Sequence, residues 1–314
     1  MSLSTLLVLA DGRLPSGAHA HSGGVEAAVA AGRVRDLHTL EAFLLGRTAT
    51  TGVVSAAFAA ATCYALTRAG GDGDDPCWDR VRALDDGLDV RTASPALRAA
   101  SRAQGRALLR AAARIWPDAV RATDPAVASP AAVDRAPSLA TTRADAEIAR
   151  LANSAAAPYE STPSPSDTRT DDARATRPAA AGVPGPPAQR VGLGPRGARR
   201  NVSAARSRLP AGVHHPTAIG IAAAASGLGP QEAGLIAVYG GLTGAASAAV
   251  RLLGLDPYAV HGLVAALAQE CDRVAADAVL RVDDPVDDLP AGSALLLDVD
   301  AEQHATWEVR LFAS

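Results

Sequence analysis

Apolar residues recur at helical spacing in two blocks of the chain, and the ends of those runs carry capping signals. From Leu97 the stripe Leu97, Ser101, Gln104, Leu108, Ala111 and Ile115 falls three and four apart, which predicts a helix to about Trp116 with this face against other helices. Ser94 followed by Pro95 predicts its start, because a serine oxygen accepts an orphan amide and proline fits the first helical position. Gly105 lies beside the stripe and permits close approach. Upstream, Asp36 caps a predicted helix over about 37–69, with Leu40, Phe43 and Leu44 on its apolar face and Gly70 and Gly71 as its stop. Near the N-terminus, "GRLPSG" predicts a turn at Pro15. A short helix follows, with Ser22 as N-cap, Glu26 near its positive end and Gly32 as its stop.

The second block opens with "VHHPTAIGIAAAASGLGP", a predicted helix of about three turns closed by Gly227. Next, Ala233 to Val250 is uncharged over 18 residues, long enough for a membrane span. Gly and Ala dominate it, so its insertion energy is poor, and Gly240, Gly241, Gly244, Ala245 and Ala248 predict a buried central helix instead. Asp256 and Pro257 start a last long helix whose apolar face is Val260, Leu263, Val264, Leu267, Cys271 and Val274. After "DDPVDDLP" comes an acidic, poorly periodic tail with Trp307, Val309, Leu311 and Phe312, apolar residues that need a second surface from their own core or from a partner.

Between the blocks the pattern disappears. Ala, Pro, Arg, Asp, Ser and Thr dominate there, a composition that cannot offset its ordering entropy by burial. The expected architecture is therefore all-α: one helical-bundle domain, 1–118 and 212–314, with a disordered insertion over 119–211. Residues 144–156 are the one predicted short helix inside it, and replacement of 122–208 by a Gly/Ser linker is expected to leave folding intact.

Composition agrees, since 48% of the chain is hydrophobic and only 3% aromatic, a core of Ala, Leu and Val that suits close-packed helices. Every basic side chain is Arg. Formal net charge is -3, which gives the whole chain no claim on nucleic acid or anionic membrane. The end of the insertion is basic, with six arginines from Arg190 to Arg208 and no acid, and offers an alternative nucleic-acid reading, but it lacks interleaved aromatics for stacking. Cys63, Cys77 and Cys271 have no CxxC spacing and read as buried thiols of a reducing compartment. "MSLSTLLVLADG" lacks a basic n-region, so a cytoplasmic location is expected.

No phosphate loop, nucleophile elbow or HExxH motif is present, and no cofactor is implied. Two clusters still call for a chemical reading. His19 and His21 could share a metal with His214 and His215, which would make a metal-dependent enzyme, whereas the local reading makes the first pair part of a helix start. Arg98, Arg102, Arg106, Arg110 and Arg114 repeat every four residues as a basic ribbon, either a solvated face or a docking surface for an acidic partner.

"LADGRLPSGAHAHSGGVEAAVAAGRV" resembles the amino-terminal signature of the UreF family of urease accessory proteins, with Leu14, Pro15, Gly17, His21, Ser22 and Glu26 in its pattern and His19 a departure. Ser101, Gln104, Gly105 and Leu108 fall as in that family, and "HHPTAIGIAAAASGL", "GGLTGAASAAVRLLGLDP" and the ending "VRLFAS" match it in style. "RLLGLDPYAVH" stands where the family commonly has a Pro-Leu-Gly-Gln-like stretch, and the insertion has no family counterpart. The resemblance implies an all-helical, non-catalytic cytoplasmic protein, dimeric, that joins a UreD-type accessory protein and a UreG-type GTPase on apo-urease. There it couples GTP hydrolysis to nickel delivery, without nucleic acid or membrane. The candidate partner-interface residues are then Pro15, Gly17, His21, Ser22, Glu26, Arg98, Arg102, Gln104, Arg106, Leu311 and Phe312.

Overall fold

A computed structural model describes residues 3–68, 76–116 and 212–313, which form α-helices and short turns with no strand among the described residues. In chain order these are α1 (Leu3–Ala10), α2 (Val25–Ala30), α3 (Leu37–Arg47), α4 (Val53–Arg68), α5 (Pro76–Arg91) and α6 (Pro95–Ile115). The second block supplies α7 (His215–Ala225), α8 (Pro230–Leu253), α9 (Pro257–Val279) and α10 (Leu295–Ala305). The expected insertion, the 144–156 helix, the basic run 190–208 and the Gly70-Gly71 stop lie outside the described residues.

The local signals work as read. Asp36 accepts the Thr39 amide at 2.8 Å, Ser94 accepts that of Leu97 at 3.1 Å, and Asp256 those of Tyr258 and Ala259 at 3.1 and 3.3 Å. Gly32 (φ 70°) ends α2 and Gly227 (φ 78°) follows α7 in the left-handed conformation that a residue with a Cβ resists. Ser22 is a correction: the N-cap of α2 is Gly24, at φ 91°, while the buried Ser22 hydroxyl accepts the Glu26 amide one turn on, at 3.4 Å.

Helices α4 and α8 form the centre, with α9 against both, α7 between α4 and α6, and α5 on the outer side of α4. Small residues make this possible. Ala56, Ala57, Ala59, Ala60 and Ala61 of α4 are fully buried, and so are Ala248 and Ala249 of α8. The 37–68 and 230–253 helices are each long and apolar enough to span a membrane by length and composition, yet 50% and 56% of their most apolar windows are buried inside the bundle. That is the behaviour of core helices, as expected for Ala233 to Val250, and Ala245 and Ala248 are buried. The glycines are a correction: Gly240 is exposed, Gly241 and Gly244 are half-buried, and a Cβ on Gly240 or Gly244 would meet nothing within 4 Å, so the close packing of this helix comes from its alanines. The predicted face of α9 is buried throughout, from Val260 to Val274.

Gly105 marks the closest approach. A Cβ there would stand 2.1 Å from the Val213 carbonyl oxygen, so α6 meets the segment entering α7 backbone to side-chain-free backbone. Gly105→Ala is expected to destabilise the protein by about 1–3 kcal/mol, because overpacking against a backbone atom outweighs the roughly 1 kcal/mol gain in helix propensity. A lowered urea midpoint with unchanged m-value would show it.

Long-range contacts decide three of the readings. The C-terminal segment is not a loose tail: α10 packs on α2 and α6, Phe312 is 3% exposed within the central core, and the Ala313 amide donates to the Ala20 carbonyl at 2.7 Å. Glu26 stands in the first turn of α2, as read, and its carboxylate does more there than face the positive end of the helix. It is buried and accepts the Leu311 amide at 2.6 Å, the Phe312 amide at 3.0 Å and a bond from His304 at 2.7 Å, clamping the chain end. The arginine ribbon is not one solvated face either. Arg102 turns inward to Asp85 at 2.9 Å and Asp89 at 2.6 Å, and Arg98 donates to the Thr92 and Ala93 carbonyls at 2.6 and 2.9 Å.

Candidate functional site

Between α3 and α4 the helix does not stop but widens by one π-turn, Thr48–Gly52. The widened turn frees carbonyls, which threonine hydroxyls take up: Thr50 donates to Gly46 at 2.8 Å and Thr51 to Arg47 at 3.3 Å. Such turns are frequent at functional sites. Here it lies beside Arg47, the one charged residue between Glu41 and Arg68.

The Arg47 guanidinium is housed by glycines. A Cβ on Gly23, which sits at φ 63°, would stand 2.6 Å from Nη1, and one on Gly241 of α8 would stand 3.8 Å from Nη2. Nη1 donates to the Gly23 carbonyl at 3.4 Å, while the buried Nε has no hydrogen-bond partner. No carboxylate among the described residues forms an ion pair with Arg47, and burial lowers the pKa of its guanidinium. The "HSGGVE" glycines thus serve packing: Gly23 makes room for Arg47, and Gly24 for Leu297 of α10.

Next to Arg47 lies a cavity of about 110 Å³, walled by the π-turn, His21, Gln104, His215, Gly240, Gly241 and Gly244. His21 and His215 come together there. Burial, then the charge of His19, lowers the His21 pKa to about 4; burial, then His21 and Arg47, lowers that of His215 to about 4. Both imidazoles are therefore neutral at pH 7. Unfolded histidines take up protons near pH 6.5, before these folded ones do. This contribution to stability is thus complete above pH 6.5 and is lost as pH falls towards 4. The melting temperature is expected to drop over that window, and less steeply in His21→Asn/His215→Asn; equal slopes would remove the assignment.

The four-histidine metal site is not assembled. His19 is exposed, and His214 is 1% exposed and bonded elsewhere, to Ser101 Oγ at 3.0 Å and Asp89 at 2.8 Å. No group of three or more His, Cys, Asp or Glu could hold a metal among the described residues. Ser101, His214 and Asp89 have the connectivity of a hydrolase triad, but their surroundings are structural. Ser101 Oγ also accepts the His215 amide at 3.0 Å, and Asp85 accepts the His214 amide at 2.8 Å, so the cluster fastens α7 to α5 and α6.

The remaining candidates separate by location. Pro15 is exposed beside the Gly17 turn (φ 73°), Leu311 is 48% exposed, and Arg106 packs its stem over Gly212. Gln104 joins His21 at the cavity, whereas Ser22, Glu26 and Phe312 are buried in the bundle. Cys63 and Cys271 are buried free thiols and Cys77 is half-buried. Arg47 went unnoticed in the sequence, although a lone charge in so long an apolar run was its signal.

This architecture defines an all-α bundle protein with an alanine-packed central helix pair and a glycine-housed arginine at a small cavity. The family model for UreF matches residues 34–268, and the chain belongs to the UreF family of urease accessory proteins. It is similar to the urease accessory protein UreF of Mycolicibacterium vanbaalenii, 34% identical over 314 residues, covering all of this chain and 99% of the relative. The corresponding proteins of Mycobacterium strain JLS and Mycobacterium marinum are 35% and 33% identical over 313 residues, again over 100% of this chain and 99% of each relative.

Proposed function

We propose that this chain is a non-catalytic, cytoplasmic scaffold for urease maturation, a homodimer that assembles with a UreD-type accessory protein and a UreG-type GTPase on apo-urease. In that assembly it favours one nucleotide state of the GTPase and so couples GTP hydrolysis to nickel insertion. The size of the coupling is its difference in affinity for the two states. The observation that carries this reading is family membership, from the family model over 34–268 and relatives whose alignments cover the chain from end to end. The structure supports it in kind, since the polar clusters at His214 and Glu26 are engaged in holding helices together.

Co-expression with the urease subunits and maturation proteins, followed by pull-down and urease assay, tests the proposal. Expected are capture of both accessory partners and loss of urease activation when this chain is omitted. Activation at wild-type level without it, or failure to capture either partner, would overturn the scaffold role. Leu311→Asp and Arg106→Glu, at exposed and half-buried positions, are expected to weaken capture while leaving the melting temperature within about 2 °C of wild type.

A further inference from the structure

Arg47 has a space beside it and no counter-charge. The half-buried guanidinium uses Nη1 on the Gly23 carbonyl, and Nε is sealed in the protein without an acceptor, which leaves Nη2 for a ligand. A cation in such a place is costly unless something pairs it. Nη2 can give a carboxylate a charge-assisted hydrogen bond while Nε adds its share of the positive charge.

We propose that the cavity beside the π-turn binds a single small carboxylate, held by Arg47 and enclosed by His21, Gln104, Thr51 and His215. Three features favour this class of ligand. The cavity, about 110 Å³, admits a group of a few heavy atoms. Both histidines are neutral at pH 7, so Arg47 supplies one positive charge and a monoanion balances it where a dianion would leave a buried excess. Finally, the cavity borders the first turn of α7, at His215 and Pro216, where the helix dipole adds positive potential. The inference concerns the isolated chain and does not rest on the scaffold reading.

The test is calorimetric titration of the purified protein with sodium acetate at pH 7, against sodium chloride and sodium sulfate at matched ionic strength, with thermal unfolding followed in parallel. Acetate is expected to bind saturably and to raise the melting temperature, and the other two salts are not. Arg47→Met should weaken acetate binding about tenfold or more, the effect of removing a charge-assisted pair. Because that variant removes a partly buried side chain, Gly241→Asp provides a second arm: it keeps Arg47 and places a carboxylate of the chain's own beside Nη2, where the added Cβ has ordinary contact room. It should fold and no longer respond to acetate. Titration with N-acetyl-aspartate amide distinguishes the sources, since tighter binding than acetate assigns the site to an acidic side chain of a partner and weaker binding to a free carboxylate. Equal responses to acetate, chloride and sulfate would overturn the proposal. So would an acetate response that survives in Gly241→Asp.

Discussion

Phe312→Ala is expected to cost about 3–5 kcal/mol of folding stability, the range for truncating a large aromatic in a packed core. Phe312 is 3% exposed, packs with the cluster that includes Val25, Val34, Leu40 and Val260, and lies under the Arg251 guanidinium at 4.3 Å. Deleting 305–314 should cost at least as much. It also strips Glu26 of the Leu311 and Phe312 amides, leaving a buried carboxylate with less to bond. Leu311→Ala, at a side chain 48% exposed, should cost under about 1 kcal/mol. Urea unfolding of the three variants separates the roles: if the deletion unfolds at the wild-type midpoint, the chain end is not part of the core. The contrast matters for any partner experiment, because loss of capture on tail deletion would report unfolding as readily as a lost interface, whereas Leu311 reports the surface alone.

Arg102→Met is the second large effect, with a loss of about 3–5 kcal/mol expected from breaking a buried ion pair on one side. Asp85 is 0% exposed and depends on Arg102 and the His214 amide; Asp89 is shared between Arg102 and His214. Removing the guanidinium strands Asp85 in the bundle and loosens the joint between α5, α6 and α7. Arg102→Lys should recover part of the loss, since one ammonium cannot span both carboxylates as the planar fork does. Chemical denaturation of both variants checks the order; a wild-type midpoint for Arg102→Met would return this arginine to the solvated ribbon.

The amino-acid sequence by itself determined the helices and their ends. Asp36, Ser94 and Asp256 each satisfy amides two or three residues away, and Gly32 and Gly227 adopt a conformation set by their own missing Cβ. Such energies are local, so a short window contains every partner. Burial of the glycine- and alanine-rich α8 was also legible, because residue size and charge distribution along one segment carry that information. The family signature at Leu14 to Glu26 was readable too, but the work of its residues was not. Glu26 meets amides 285 and 286 positions away, Arg102 meets Gly212, and His21 meets His215. A periodic row of arginines looks the same whether it faces water or carboxylates on another helix. A terminal Phe looks loose until α2, α8 and α9 supply its walls. The π-turn and the arginine cavity likewise needed Gly23 and Gly241 brought to Arg47 from two other segments. These features are sums over contacts distant in the chain, and only the packing of the helices decided them.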